Sequence, residues 1–126
     1  MNVLFYGSSN ATRGPLGEAI GRQLDPQGGW FSAGVSPSRI HPQVRPILLE
    51  EGIRPEGLVS KGISAIPLED VELCIDLALD MPRLPPHIRR IAWLLPDPSS
   101  APMKEQAEAF RATRDELRRR LRGLLA

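Results

Sequence analysis

A chain of 126 residues with 41% hydrophobic and 25% charged side chains can enclose one core and has the make-up of an ordinary globular domain. Its 16 lysines and arginines nearly cancel 15 aspartates and glutamates, and a net charge of +1 argues against a general nucleic-acid or membrane-surface role. The N-terminus shows no basic n-region and no apolar run nears the ~18 residues of a spanning helix, so a cytoplasmic protein without a signal peptide is expected.

In chain order, residues 2–6 (NVLFY) are a short run of strand formers. A small, polar stretch, GSSNATRG (7–14), leads into a helical pattern with Leu16, Ala19, Ile20 and Leu24 on one stripe. Pro15 falls in the first turn, where a missing N–H is tolerated. Residues 30–35 (WFSAGV) read as a second strand, and Pro42 as the start of a helix that Gly52 stops, with Pro46 able to delay or kink it. The near-continuous apolar run 71–79 (VELCIDLAL) predicts a parallel strand buried on both faces. A proline-rich loop follows, then a fourth strand, IRRIAWLL, stopped by PDPSSAP.

The last 24 residues predict one long helix, with Met103, Ala107, Phe110, Thr113, Leu117, Leu121 and Leu124 at steps of three and four. Arg118, Arg119, Arg120 and Arg122 suit its C-terminal pole and read as a solvated face. Strands alternating with helices predict an α/β fold with a parallel sheet, in one domain spanning 1–126.

The loop 7–14 carries the chemistry. A link from a strand's carboxyl end to a helix N-terminus is where open α/β sheets bind ligands, and unpaired amides there favour anions. Gly7, Ser8, Ser9, Ala11 and Gly14 are small, Asn10 tolerates left-handed backbone, and Arg13 offers a guanidinium fork. It is neither a Walker A loop nor a dinucleotide-binding motif. The one cysteine, Cys74, excludes an internal disulfide or a multi-cysteine metal site and reads as a buried strand residue. His41, before a proline at a helix start, reads as structural, and His87 as a surface loop residue. Asp80 is a further candidate at the rim of the sheet, and Asp97, between prolines, has the setting of a turn residue.

These residues resemble the low-molecular-weight protein tyrosine phosphatases and thioredoxin-coupled arsenate reductases. Their phosphate loop follows the first strand and reads cysteine, five residues, arginine, then serine or threonine. Gly7 and Arg13 keep that spacing, with Asn10, Pro15 and Glu18 in register. FSAGVSP (31–37), IHP (40–42), EEGI (50–53), SK (60–61), WLLPDP (93–98) and FRATRDELRRRL (110–121) continue the likeness in order, and the run after PDP, without tyrosine, leans toward the arsenate-reductase branch.

The resemblance implies a three-layer α/β fold, a four-stranded parallel sheet flanked by helices. It implies oxyanion binding by Ser8, Ser9, Asn10, Ala11, Thr12 and Arg13, with Asp97 at the position of the general acid and no metal or cofactor. The chain departs from the pattern where a thiolate would form: Gly7 takes the nucleophile's place, and Gly14 replaces the hydroxyl that would stabilise it. The expectation is a catalytically inactive relative that binds phosphate, arsenate, sulfate or a phosphorylated protein. The alternatives are a protein-interaction module with a vestigial loop, or an enzyme using Cys74 or water.

Overall fold

Four short parallel strands form the centre of the molecule in a computed structural model that describes residues 1–126. They are β1 (Asn2–Gly7), β2 (Gly29–Gly34), β3 (Leu73–Asp76) and β4 (Arg89–Ala92), in the order β2-β1-β3-β4. Strand β1 pairs on both sides, Phe5 lying between Ser32 and Ile75, which explains its wholly apolar interior. Because every pair is parallel, all four carboxyl ends open on one side of the sheet.

Alternation along the strands separates two apolar clusters. Val3, Phe5 and Ile75 face the helices α1 (Arg13–Leu24), α2 (Val44–Leu49) and α3 (Gln106–Leu125), meeting Leu16, Ile47, Phe110 and Leu117. Leu4, Tyr6 and Cys74 face the other way, onto Ile66, Val71 and Ile88. The three layers are present, but the second outer layer is made of 3₁₀ turns (Ile63–Ala65, Leu68–Asp70) and the proline-rich connection, with no α-helix.

Several boundaries differ from the sequence reading. The run 71–79 yields a strand only over Leu73–Asp76, and 88–95 only over Arg89–Ala92. Val71 and Leu77 are buried by packing beyond the ladder, so apolarity alone overstates strand length. Helix α2 begins at Val44, not Pro42, which puts Pro46 in the first turn, where it displaces no intrahelical bond. The closing helix begins at Gln106, and Met103, expected on its apolar stripe, is 85% exposed in the preceding 3₁₀ turn.

Helix α1 lies unusually close to the sheet. A Cβ at Gly17 would come within 2.7 Å of the Phe5 ring, and one at Gly21 would collide with Trp30. This close approach sets the N-terminus of α1 at the carboxyl end of β1.

The arginines of α3, Arg122 apart, are paired rather than free. Glu50, at the end of α2, accepts from Arg111 and Arg114, Arg118 reaches Glu51, and Arg119 and Arg120 share Glu116. Hydrogen bonds from Arg111 and Arg114 hold the Glu50 carboxyl down to about 2 from an ordinary 4.5. A folded-state value below the unfolded one contributes stability above the unfolded value, lost as pH falls through the folded one. In Glu50→Gln we therefore expect lower stability at neutral pH, converging on the wild type as pH drops from about 4.5 toward about 2. Urea midpoints across that range check it, and a constant gap at every pH would refute it.

Candidate functional site

Between β1 and α1, residues 8–12 fold into a loop whose hydrogen bonding is one-sided. Its carbonyls are engaged by the segment after β2: Val35 donates to Gly7, Ser36 to Ser8, Ser38 to Ser9 and His41 to Ala11. Its amides are not: the N–H groups of residues 8 through 14 donate to no protein oxygen. Paired carbonyls outside and unpaired amides inside define a nest, to which the N-terminus of α1 adds partial positive charge. Asn10 makes the bend, with φ of 52° in the left-handed region where asparagine is tolerated.

The concavity is small, about 10 Å³, and its wall also includes Gly7, Arg13, Leu77 and Asp97. Arg13 Nη1 donates to the carbonyls of Leu77 (2.6 Å) and Leu95 (2.8 Å), the segments leaving β3 and β4. Its Nε is buried without a partner. The sequence reading took Arg13 as a ligand fork alone; one corner of that fork also ties two loops to the site. The Asn10 carboxamide is similarly divided, its Oδ1 accepting from the Lys61 amide at 2.9 Å while Nδ2 is buried and unpaired beside Gly14.

Asp97 stands across the concavity. Its Oδ1 accepts from Thr12 Oγ1 (3.0 Å), the Ser99 amide (3.0 Å) and Ser99 Oγ (2.8 Å), while Oδ2 accepts nothing from the protein. Burial pushes this carboxyl up, but hydrogen bonds from Ser99 and Thr12, with the charge of Arg13, outweigh it and leave it below its ordinary value. Asp97 is thus both the turn residue that its flanking prolines suggest and a group on the site wall.

A residue to which the sequence reading gave no role, Lys61 of the SK pair, supports the loop from behind. Lys61 Nζ reaches the buried Glu18 carboxylate at 3.2 Å, which also accepts from Ser32 Oγ at 2.6 Å. The Lys61 amide holds Asn10, its carbonyl accepts from Gly34, and the neighbouring Ser60 hydroxyl donates to Ser9 O. In the sequence Lys61 stood only as the second residue of the SK pair (60–61) in the family likeness, with no partner assigned to it.

Other candidates lie elsewhere. His41 Nδ1 accepts from the Gln43 amide and its ring packs on Phe110, and the His87 ring contacts Leu68 O. Asp80 is exposed, with φ of 58°. Cys74 is fully buried in mid-strand on the face away from the helices. Burial, aided by the charge of Asp76, pushes its thiol up to about 12, so it carries no thiolate at neutral pH. No group of His, Cys, Asp and Glu side chains is arranged to hold a metal ion. No helix is long and apolar enough to cross a membrane.

A parallel α/β sheet with an amide nest and an arginine between its first strand and first helix is an arrangement whose chemistry suits an anion. The chain belongs to the low-molecular-weight phosphotyrosine protein phosphatase family, whose model it matches over residues 2–126. It is 29% identical over 125 residues to an arsenate reductase of Bacillus cereus strain 03BB102, covering 95% of this chain and 90% of that protein. Similarity to an arsenate reductase of Bacillus subtilis strain 168 is also 29%, covering 95% and 91%.

Among solved structures, an arsenate reductase in the phosphate-binding state superposes with a TM-score of 0.81 at 27% identity, covering 98% of this chain and 96% of that one. The tyrosine phosphatase Wzb of Escherichia coli K30, in complex with sulphate, shares the fold with a TM-score of 0.80 at 19% identity, covering 98% and 94%.

Proposed function

We propose that this chain is a member of its family without covalent catalysis, binding a tetrahedral oxyanion, free or on a phosphorylated partner, through residues 8–14. The observation that carries the reading is the run of amides from 8 to 14 without protein acceptors, in a concavity that Arg13, its Nε buried and unpaired, also lines. Donors left unpaired at the edge of a core favour whatever supplies acceptors, and a tetrahedral anion supplies several at once. The phosphate-binding state of the similar arsenate reductase and the sulphate complex of Wzb support the same ligand class.

The absence of catalysis rests on side chains. Gly7 offers no nucleophile, Cys74 is buried and protonated, and neither Ser8 nor Ser9 is hydrogen-bonded to a base.

Titration of the protein with phosphate, followed by amide NMR, should give saturable shifts confined to residues 7–15. Arg13→Ala should abolish them, with at least a tenfold loss of affinity from removing one charged donor. Because Arg13 also holds Leu77 and Leu95, Arg13→Lys serves as a second variant that keeps a donor there; unchanged affinity in both would refute the reading.

A second reading, a protein-interaction module with a vestigial loop, draws on Val35, Leu79 and Leu94. These apolar side chains are 50%, 72% and 52% exposed and follow the carboxyl ends of β2, β3 and β4. It would prevail if phosphate produced no shifts.

A further inference from the structure

Away from the cradle, the helical side of the molecule carries a second and much larger recess. It lies between the C-terminal half of α1 (Ala19, Arg22, Gln23) and the loop that leaves α2 (Gly52, Arg54, Glu56), and holds about 440 Å³. That volume falls among those of small-molecule sites, roughly 300–1,000 Å³. Arg22 stands nine residues along α1 from Arg13, roughly 14 Å at the rise of a helix, and no residue lines both the recess and the cradle.

The polar groups of the recess have few partners in the protein. Arg54 is exposed and unpaired, and Arg22 has one long contact, Nη1 at 3.9 Å from Glu18. Glu18 is already engaged by Lys61 and Ser32, and Arg22 Nη2 is buried with no acceptor. Glu56 pairs with neither arginine. Gln23 donates through Nε2 to Gly52 O at 3.1 Å, which leaves its Oε1 free. On α3, by contrast, the arginines other than Arg122 are held by carboxylates.

We propose that this recess is a second binding site, for a phosphorylated sugar, distinct from the oxyanion site of residues 8–14.

The assignment follows from pairing. Two guanidinium groups offer donors only, and their two charges match the dianion of a phosphate monoester better than a single carboxylate. A buried donor without an acceptor is costly, so a ligand oxygen that draws the Arg22 guanidinium into the recess gains what the protein does not supply. Beside them, Glu56 and Gln23 Oε1 are the acceptors that hydroxyl groups require. A bare anion would leave most of this volume empty. No aromatic side chain lines the recess to stack on a nucleobase, so a sugar fits it better than a nucleotide.

Amide NMR with ribose 5-phosphate, ribose, inorganic phosphate and AMP as probes tests this, because each site reports through its own residues. Ribose 5-phosphate should shift the amides of 19–23 and 52–57 saturably and bind there at least about tenfold more tightly than inorganic phosphate. Ribose should give no shifts, and AMP should bind no more tightly than ribose 5-phosphate. Arg54→Ala and Arg22→Gln should each weaken ribose 5-phosphate roughly ten- to hundredfold, the range for hydrogen bonds to charged groups. Glu56→Ala should weaken ribose 5-phosphate while sparing inorganic phosphate, a split that general loss of structure would not produce. The proposal is overturned by silence at 19–23 and 52–57, by equal affinity for ribose 5-phosphate and inorganic phosphate, or by tighter binding of AMP. An affinity unmoved in both arginine variants overturns it as well. Shifts at 8–14 are followed separately, so failure of either site leaves the other standing.

Discussion

Gly7→Cys is expected to gain a thiol that iodoacetamide alkylates at neutral pH at least about a hundredfold faster than Cys74, with phosphate protecting it. The position has room: a Cβ at Gly7 would lie 3.7 Å from Leu77 Cβ, ordinary van der Waals contact, and the backbone there needs no glycine conformation. Position 7 therefore has open space for a cysteine side chain. A thiol placed there would sit at the foot of an amide nest, at a helix N-terminus and near Arg13, each of which favours the thiolate. Gly14 supplies no hydroxyl, so the activation should fall short of what a fully equipped loop gives.

Cys74 is the internal control, buried and held up to about 12. Mass spectrometry of labelled peptides against time and pH separates the two thiols. If the new thiol reacts no faster than an exposed cysteine in a short peptide, and phosphate does not slow it, the amides do not act on position 7.

The second large effect concerns Lys61. Removing one partner of a buried ion pair strands the other, and Lys61→Met should cost about 3 kcal/mol, read as a lowered urea midpoint at unchanged slope. The Glu18 side chain is only 8% exposed, and after the substitution its remaining partners would be the Ser32 hydroxyl and Arg22 at 3.9 Å. Glu18→Gln combined with Lys61→Met should recover most of the loss, because no buried charge then remains. Additive losses in the double variant would show that Lys61 acts through packing rather than through Glu18. Since the Lys61 backbone fixes Asn10 and Gly34, the single variant should also broaden the amide signals of residues 8–12.

Much of this was legible in the residues. The apolar runs of β1 and β3 are those of strands buried on both faces, and the small residues between Gly7 and Arg13 mark a loop built to present amides. The spacing of Gly7, Asn10, Arg13 and Glu18 also pointed to the candidate site, because those residues share one loop and its helix. The supports of the loop were not legible. Lys61 meets Glu18 across 43 residues and Arg13 meets Leu95 across 82, and no local pattern encodes which distant backbone will arrive there. Asp97 was read as an acid by position, yet its protonation depends on Thr12 and Ser99, and the Thr12 contact exists only in three dimensions. Strand lengths were overestimated because packing beyond the ladder demands apolar residues just as the ladder does.

The unpaired amides of 8–14 also couple the solution to the fold. The unfolded chain has no such assembled set of donors, so an anion bound in the nest as proposed would bind the native state alone and shift the folding equilibrium by mass action. At a hundred times its dissociation constant such an anion adds about 2.7 kcal/mol. Samples prepared in phosphate and in a buffer without oxyanions would then melt at different temperatures, with identical sequences and identical contacts. On the proposed oxyanion binding, the choice of buffer is a thermodynamic variable for this protein, and a melting temperature carries meaning only alongside the concentration of the anion present.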